Sequence, residues 1–283
     1  MTFKTVSTAT FLSLAAGSAF AAGHATTTGY GLIDEGSAIV VFTDMASPAG
    51  ATKVVLTGGT VDAIAYRPVT GDLVGFSKAG MIYTIDPQTG ALTDTGATFG
   101  DDVTMADDAA VALDFNNAID AVRAVSSDGV NVVYFPKEFA DERANTVKRF
   151  TDLAYAEGDV NAGATPLIFA NAYTNAVNGA KQETTAQYAI DAGLDALVTL
   201  ANNEGTLATV APLTLDGAPF DVSDMGGFDI ISAAAGEDTA IALLGAEGSE
   251  TSGIYQIDLA TGAATLMGDT GMGGFSGFAA KIN

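Results

Sequence analysis

The chain has no cysteine and no tryptophan, and only one histidine, His24, in 283 residues. Without cysteine there is no disulfide to staple the fold, no thiolate nucleophile and no thiolate metal site. With its one histidine beside an N-terminal leader pattern, the folded part has no Ser-His-Asp triad, no Cys-His pair and no histidine-based zinc or iron centre. Basic residues are also scarce: 11 Lys and Arg face 34 Asp and Glu. Nucleic acid and anionic membrane are therefore not expected as partners, because both require basic patches. No apolar run reaches the roughly 20 residues that cross a bilayer, so no membrane insertion is expected.

What is present begins with a targeting pattern. Lys4 supplies a positive start, an apolar run follows from Thr10 to Leu14, and small residues close it in "AAGSAFAAGHA". This reads as a bacterial secretory signal peptide over residues 1–22, with cleavage after Ala21, Ala22 or Ala25. The expected destination is the periplasm or the extracellular space. Residues 26–283 are then expected to form a single domain. With Lys4 removed, 10 basic residues face 34 acidic ones, a net charge of −24. Such a surface favours solubility, and in salty surroundings carboxylate repulsion is screened over about 10 Å or less.

The 33 glycines and the many Asp and Asn connections separate short alternating runs rich in Val, Ile, Tyr and Phe, and no long amphipathic helix competes with them. The class is all-β. "MIYTIDPQTGALTDTG" (81–96) returns as "GIYQIDLATGAATLMG" (253–268), and each belongs to a set of about four strands. The second set runs "VDAIAYRP", "DLVGFS", "MIYTID", "ALTDTG"; the fifth runs "GGFDIIS", "TAIALLG", "GIYQID", "AATLMG". Between them lie "VALDFNN", "DAVRAVS", "VNVVYF", "DLAYA" and then "IFANAYTN", "AQYAID", "ALVTL", "TLATVAPL".

The two ends complete each other. "TGYGLID", "AIVVF" and "KVVLTG" supply a second, third and fourth strand, and "FSGFAAKI" (275–282) supplies the missing first. First strands centred on Ala65, Asp114, Ala172, Asp229 and Phe278 lie 49, 58, 57 and 49 residues apart, a spacing suited to propeller blades with long loops. The pattern predicts a β-propeller of five four-stranded blades, closed by pairing the C-terminal strand with the N-terminal ones. Closure removes exposed sheet edges. Alanines on the first strands (Ala63, Ala65, Ala110, Ala112, Ala170, Ala172, Ala279, Ala280) suit a narrow axis, and a sandwich or barrel is the structural alternative.

The segments "TGDLVGFSKAGMIYTIDPQTGAL", "LDFNNAIDAVRAVSSDGVN", "LAYAEGDVNAGATPLIFANAYTN", "YAIDAGLDALVTL" and "GIYQIDLATGAATLMG" resemble an uncharacterised bacterial family of exported domains of unknown function. The likeness runs from about Tyr30 to Phe278. It implies the propeller and brings no activity with it. One departure stands where a short Asp-Pro-x-Thr-Gly turn is expected: the third blade carries "FPKEFADERANTVKRF" (135–150).

That insertion holds Lys137, Arg143, Lys148 and Arg149, either a docking loop for an acidic partner or a solvated turn paired with Glu138, Asp141 and Glu142. Asp159 and Asn161 in "YAEGDVNAG" place oxygens on a tight loop, as calcium prefers, although an Asx-turn uses the same residues. "DDVTMADD" (101–108) is an acidic loop with the same two readings, calcium or solvent. Polar residues at or beside the inner strands, Asp62, Arg67, Asp114, Asn116, Asn171, Tyr173, Asn175 and Asp229, are a candidate ligand site at one channel mouth. Arg123 is counted with this candidate site; the bland reading has the inner-strand aspartates tying blades together, with Arg123 as partner to one of them. The expected function is non-catalytic binding of a small molecule, a glycan or an envelope protein by a monomer. The alternative is a carboxylate-based hydrolase, glycosidase-like or calcium-dependent lactonase-like, at the same mouth.

Overall fold

The computed structural model describes residues 27–283; the leader pattern and His24 lie outside them. Five small sheets form a ring. In the first blade the C-terminal strand Gly277–Ile282 is innermost, followed outward by Thr27–Ile33, Ala38–Phe42 and Thr52–Val55. Tyr30 faces Ala279 across the closing pair, and Gly31 faces Phe278. The chain is thus an all-β, five-bladed propeller whose first and last described strands share one sheet. The remaining inner strands are Ala63–Arg67, Val111–Asn116, Ile168–Tyr173 and Val222–Ser232. Each packs against the next, and the last returns to Gly277–Ile282.

Alternation explains how the blades stack. A strand sends successive side chains to opposite faces, so a blade with neighbours on both sides needs both faces apolar. The inner strand Ile168–Tyr173 is accordingly buried along its whole length. Apolar clusters fill the spaces between blades, such as Phe76, Phe115 and Tyr134 between the second and third. Phe169, Phe228 and Tyr255 do the same between the fourth and fifth. The inner-strand alanines Ala63, Ala65, Ala170, Ala172 and Ala279 are all essentially buried near the axis.

The repeated hairpin acquires a physical account. In "DPQTG" Asp86 Oδ1 accepts from the Gln88 amide at 2.8 Å and Oδ2 from the Thr89 hydroxyl at 2.8 Å. In "DLATG" Asp258 Oδ1 accepts from the Ala260 amide at 2.8 Å. Gly90 and Gly262 close these turns with φ of 74° and 69°. A Cβ at Gly90 would stand 2.0 Å from the Val55 carbonyl oxygen, and one at Gly262 would stand 2.5 Å from that of Pro212. Those carbonyls belong to the segments that arrive from the preceding blade. Each glycine thus serves a turn and lets the incoming linker run beside the blade's outer strand.

This linker contact recurs. Thr98–Phe99 pairs parallel with Thr146–Arg149, Ala154–Tyr155 with Thr206–Pro212, and Thr214–Leu215 with Ala263–Asp269, while Thr57 bridges Ala91. The pairing corrects one expectation from the sequence. "DLAYA" is not the fourth strand of the third blade: Ala154–Tyr155 caps the fourth blade, and Thr146–Arg149 inside the expected insertion is the outer strand. The protruding loop therefore shrinks to residues 136–145. In this blade Asn145, at φ 58°, occupies the glycine position and donates through Nδ2 to the Thr95 and Gly96 carbonyls of the linker. Among the described residues no linker strand pairs with Thr52–Val55 of the first blade.

Candidate ligand site

The inner strands converge so closely that the axis is nearly solid. The axial cavity, lined by Ala63, Leu113, Asn171, Phe228, Phe278 and their neighbours, measures about 10 Å³. That is room for about one water. Asn171 Oδ1 accepts from Gln187 Nε2 at 3.0 Å, whereas Asn171 Nδ2 is buried without a partner. A single trapped water would satisfy it.

Two carboxylates are buried in this interior. Asp114 Oδ2 accepts from the Tyr173 amide of the next blade at 2.5 Å, and Asp229 Oδ2 accepts from the Ala280 amide of the first blade at 2.6 Å. Burial pushes the Asp114 carboxyl well above the usual carboxylate range, with the charge of Asp229 adding to the effect and the Tyr173 and Phe115 amides opposing it. Burial likewise raises Asp229 to about 7, against the amides of Ala280 and Ile230. Both side chains join adjacent blades. Tyr173 extends the join: its hydroxyl donates to Asn202 Oδ1 at 2.7 Å and accepts from Arg123 Nε at 2.9 Å. Arg123 also donates to Asn131 and Asn203, and burial raises the Tyr173 phenol to about 12.

The other candidates lie at the two faces of the ring, because an inner strand crosses from one face to the other. Arg67, at the far end of its strand, forms a bidentate pair with Asp120 of the third blade, at 2.7 and 2.6 Å. Asn116 Oδ1 accepts from the Ala118 amide and from the Thr185 hydroxyl of the fourth blade, both at 3.0 Å. Asn175 reaches the fifth blade, donating its amide to Asp238 and accepting from that of Gly236. Asp62 stands alone at the opposite face, where the inner strands begin. The eight residues do not converge on one mouth, since strand direction separates the starts from the ends.

Asp159 and Asn161 hold a loop to the fourth blade. Asp159 accepts from the amides of Asn161 and Thr209 and from the Thr209 hydroxyl, bonds that hold its carboxyl below the usual range. Among the described residues no three His, Cys, Asp or Glu side chains gather as a metal site would require.

Asp62 does line a concavity. At the face where the inner strands start, a bowl of about 270 Å³ opens over the plugged axis. Glu35 of the first blade, Asp62 and Lys78 of the second, Asp108 of the third, and Asp224 and Met225 of the fifth border it. Asp62 Oδ2 accepts from the Lys78 amide at 2.7 Å, and its Oδ1 lies 3.6 Å from the Lys78 ammonium. That ammonium donates to the carbonyls of Asp107 at 2.6 Å and Ala109 at 2.8 Å. Lys78 is thereby spent on joining the second blade to "DDVTMADD", and the bowl keeps a surplus of carboxylates over a Val61 and Val111 floor. Sequence reasoning missed Glu35, Lys78 and Asp224. The one available signal was position, since Asp62, Asp108 and Asp224 all fall just before or at the start of an inner strand.

Residues 39–279 match the family described as a domain of unknown function, DUF4394. The chain belongs to the DUF4394 family. Among curated proteins there is no match. Among solved structures, a structural genomics protein of unknown function from Bacteroides thetaiotaomicron is 12% identical, with a TM-score of 0.50 over 76% of this chain and 53% of that one. An auxiliary nutrient binding protein from the same organism is 14% identical, with a TM-score of 0.41 over 75% and 55% of the two chains. A nidogen/laminin complex gives 11% identity and a TM-score of 0.46 over 90% and 98%. The DUF4394 chain spans about half the length of the first two. At these identities the likeness is one of fold. No helix among the described residues is long and apolar enough to cross a membrane.

Proposed function

We propose that this DUF4394 domain is a non-catalytic binding module that works as a monomer outside the cytoplasm and takes a small cationic molecule in the bowl around Asp62. The observation that carries this reading is the bowl itself, a concavity of about 270 Å³ assembled from four blades over a closed axis. Binding sites favour clefts where several elements converge on a few polar groups. The carboxylates of Glu35, Asp62, Asp108 and Asp224 exceed the one ammonium present, which is already engaged by two carbonyls. An organic cation with an apolar portion would meet both the rim and the floor. The surrounding acidic surface would concentrate such a ligand near the molecule. Export is supported by the leader pattern at residues 1–22. Nothing favours hydrolysis at Asp114 and Asp229, which are both buried, and the axial cavity of about 10 Å³ admits no sugar ring.

Calorimetry with choline and putrescine, alongside a neutral alcohol and a carboxylate of matched size, tests the reading. The amines should bind, and Asp62→Asn or Asp224→Asn should each weaken them about threefold, as for partly exposed charge pairs. Equal binding of the carboxylate, or turnover of a glycoside or lactone by the purified domain, would refute it.

A further inference from the structure

A second concavity lies at the other face, in the groove between the second and third blades, with a volume of about 270 Å³. Its floor is apolar and aromatic: Val74, Phe115 and Tyr134 are all buried. Arg67 lies over the Phe115 ring, 5.9 Å from its centroid. The guanidinium gives two N–H groups to Asp120 and one to Glu138, the last at 3.2 Å. A guanidinium has five N–H donors, so two are left for another acceptor.

The walls are unspent polar groups. Thr84 and Thr93 face each other across paired strands, and neither hydroxyl makes a hydrogen bond among the described residues. Asp94 uses Oδ1 for the Gly96 amide, and Asp72 uses Oδ2 for the Thr70 hydroxyl. Each keeps one oxygen. The groove therefore offers donors, acceptors and hydroxyls around an apolar floor.

Charge selects among ligands. Arg67 and Lys137 stand against Asp72, Asp94, Asp120 and Glu138, so an anion would meet four carboxylates. A cation paired with the free oxygens of Asp72 and Asp94 would stand against the positive charges of Arg67 and Lys137. A neutral polyol meets neither cost: its hydroxyls would donate to Asp72 and Asp94 and accept from Arg67, and its C–H face would lie on the aromatic floor. The volume is at the small end for ligand sites, suited to one sugar ring and too small for a nucleotide.

We infer that the groove between the second and third blades, walled by Arg67, Asp72, Thr84, Thr93 and Asp94, is a binding site for a neutral monosaccharide-sized polyol. It is separate from the bowl around Asp62 and does not depend on it.

The test is a titration of the whole domain, followed by amide-resolved NMR, with glucose, galactose, mannose, xylose and arabinose, and with gluconate and glucosamine as charged controls. At least one neutral sugar should bind with a dissociation constant on the order of millimolar, shifting amide resonances of residues 84, 93–95, 134, 135, 137 and 138. Thr84→Trp, which fills the groove, should abolish binding, and Asp94→Ala at an exposed position should weaken it about tenfold. Asp62→Asn should leave it unchanged. No shift in the groove with any neutral sugar at tens of millimolar, or tighter binding of gluconate or glucosamine than of glucose, would overturn the assignment.

Discussion

Asp114 and Asp229 show what a carboxylate does when a narrow axis leaves it no water. Each is useful as an acceptor for an amide of the next blade, and each is costly as an anion. The sign of the resulting pH dependence follows from proton counting. A carboxyl raised in the fold from its ordinary value of 3.8 to about 7 binds a proton natively that the unfolded chain has released between those pH values. Stability is therefore fully present below about pH 4 and falls as pH rises through 7, by about 4 kcal/mol at most. Asp86, Asp141 and Asp159 are held below the usual range and act in the opposite sense only below their ordinary value, so they leave the upper window clear. Asp229→Asn keeps an oxygen for the Ala280 amide and carries no charge. Chemical denaturation from pH 4 to 8 should show a falling stability for the parent and a flatter profile for Asp229→Asn, flatter again with Asp114→Asn. A parent profile with no decline across that window would show that the axis hydrates these groups.

At the scale of the element, the hairpin repeat is a linker-docking device as well as a turn. Alanine at Gly90 or Gly262 would face both a positive φ and a carbonyl oxygen well inside contact distance. Each substitution should cost about 2 kcal/mol or more, and Tm should drop by about 4–8 °C in a domain of this size. Gly90→Asn, which imitates Asn145 of the third blade, should lose less than Gly90→Ala because asparagine tolerates that conformation and can donate to a linker carbonyl. Equal losses for the two substitutions in a thermal melt would remove the docking explanation. The blades and their order were legible because turn chemistry and strand alternation are local. The outer strand Thr146–Arg149 was not, since its four residues include Lys148 and Arg149 and its place depends on Tyr134, Val147 and Phe99 pairing across three distant segments.

For the whole molecule, closure and charge pull in opposite directions. Pairing the two ends turns five sheets into a ring with a nearly solid centre, which is why the bowl and the groove open on the faces and the axis holds only a water-sized gap. Neither concavity was legible, because one joins Glu35, Asp62, Lys78, Asp108 and Asp224 only once the ring is shut, and the other joins Arg67, Thr93 and Glu138 only once the second and third blades pack together. Asp62 and Arg67 stand out in the sequence as polar residues beside inner strands, but the sequence does not display which face a strand end reaches, and they lie at opposite mouths. The same ring holds all 34 acidic residues against 10 basic ones, and only Asp114, Asp120, Asp191 and Asp229 of those acids are buried. The remaining carboxylates share the surface and repel one another. Few ion pairs exist to be lost in salt, and the best formed, Arg67 with Asp120, is buried and poorly screened. Raising sodium chloride from about 0.01 M to 1 M shortens the screening length from about 30 Å to about 3 Å, so Tm should rise steadily with salt. Potassium chloride should match sodium chloride at equal ionic strength, because screening depends on charge alone. A calcium-induced rise well above that of magnesium at the same ionic strength would instead reveal a specific cation site, and a fall in Tm with salt would mean that surface ion pairs outweigh carboxylate repulsion.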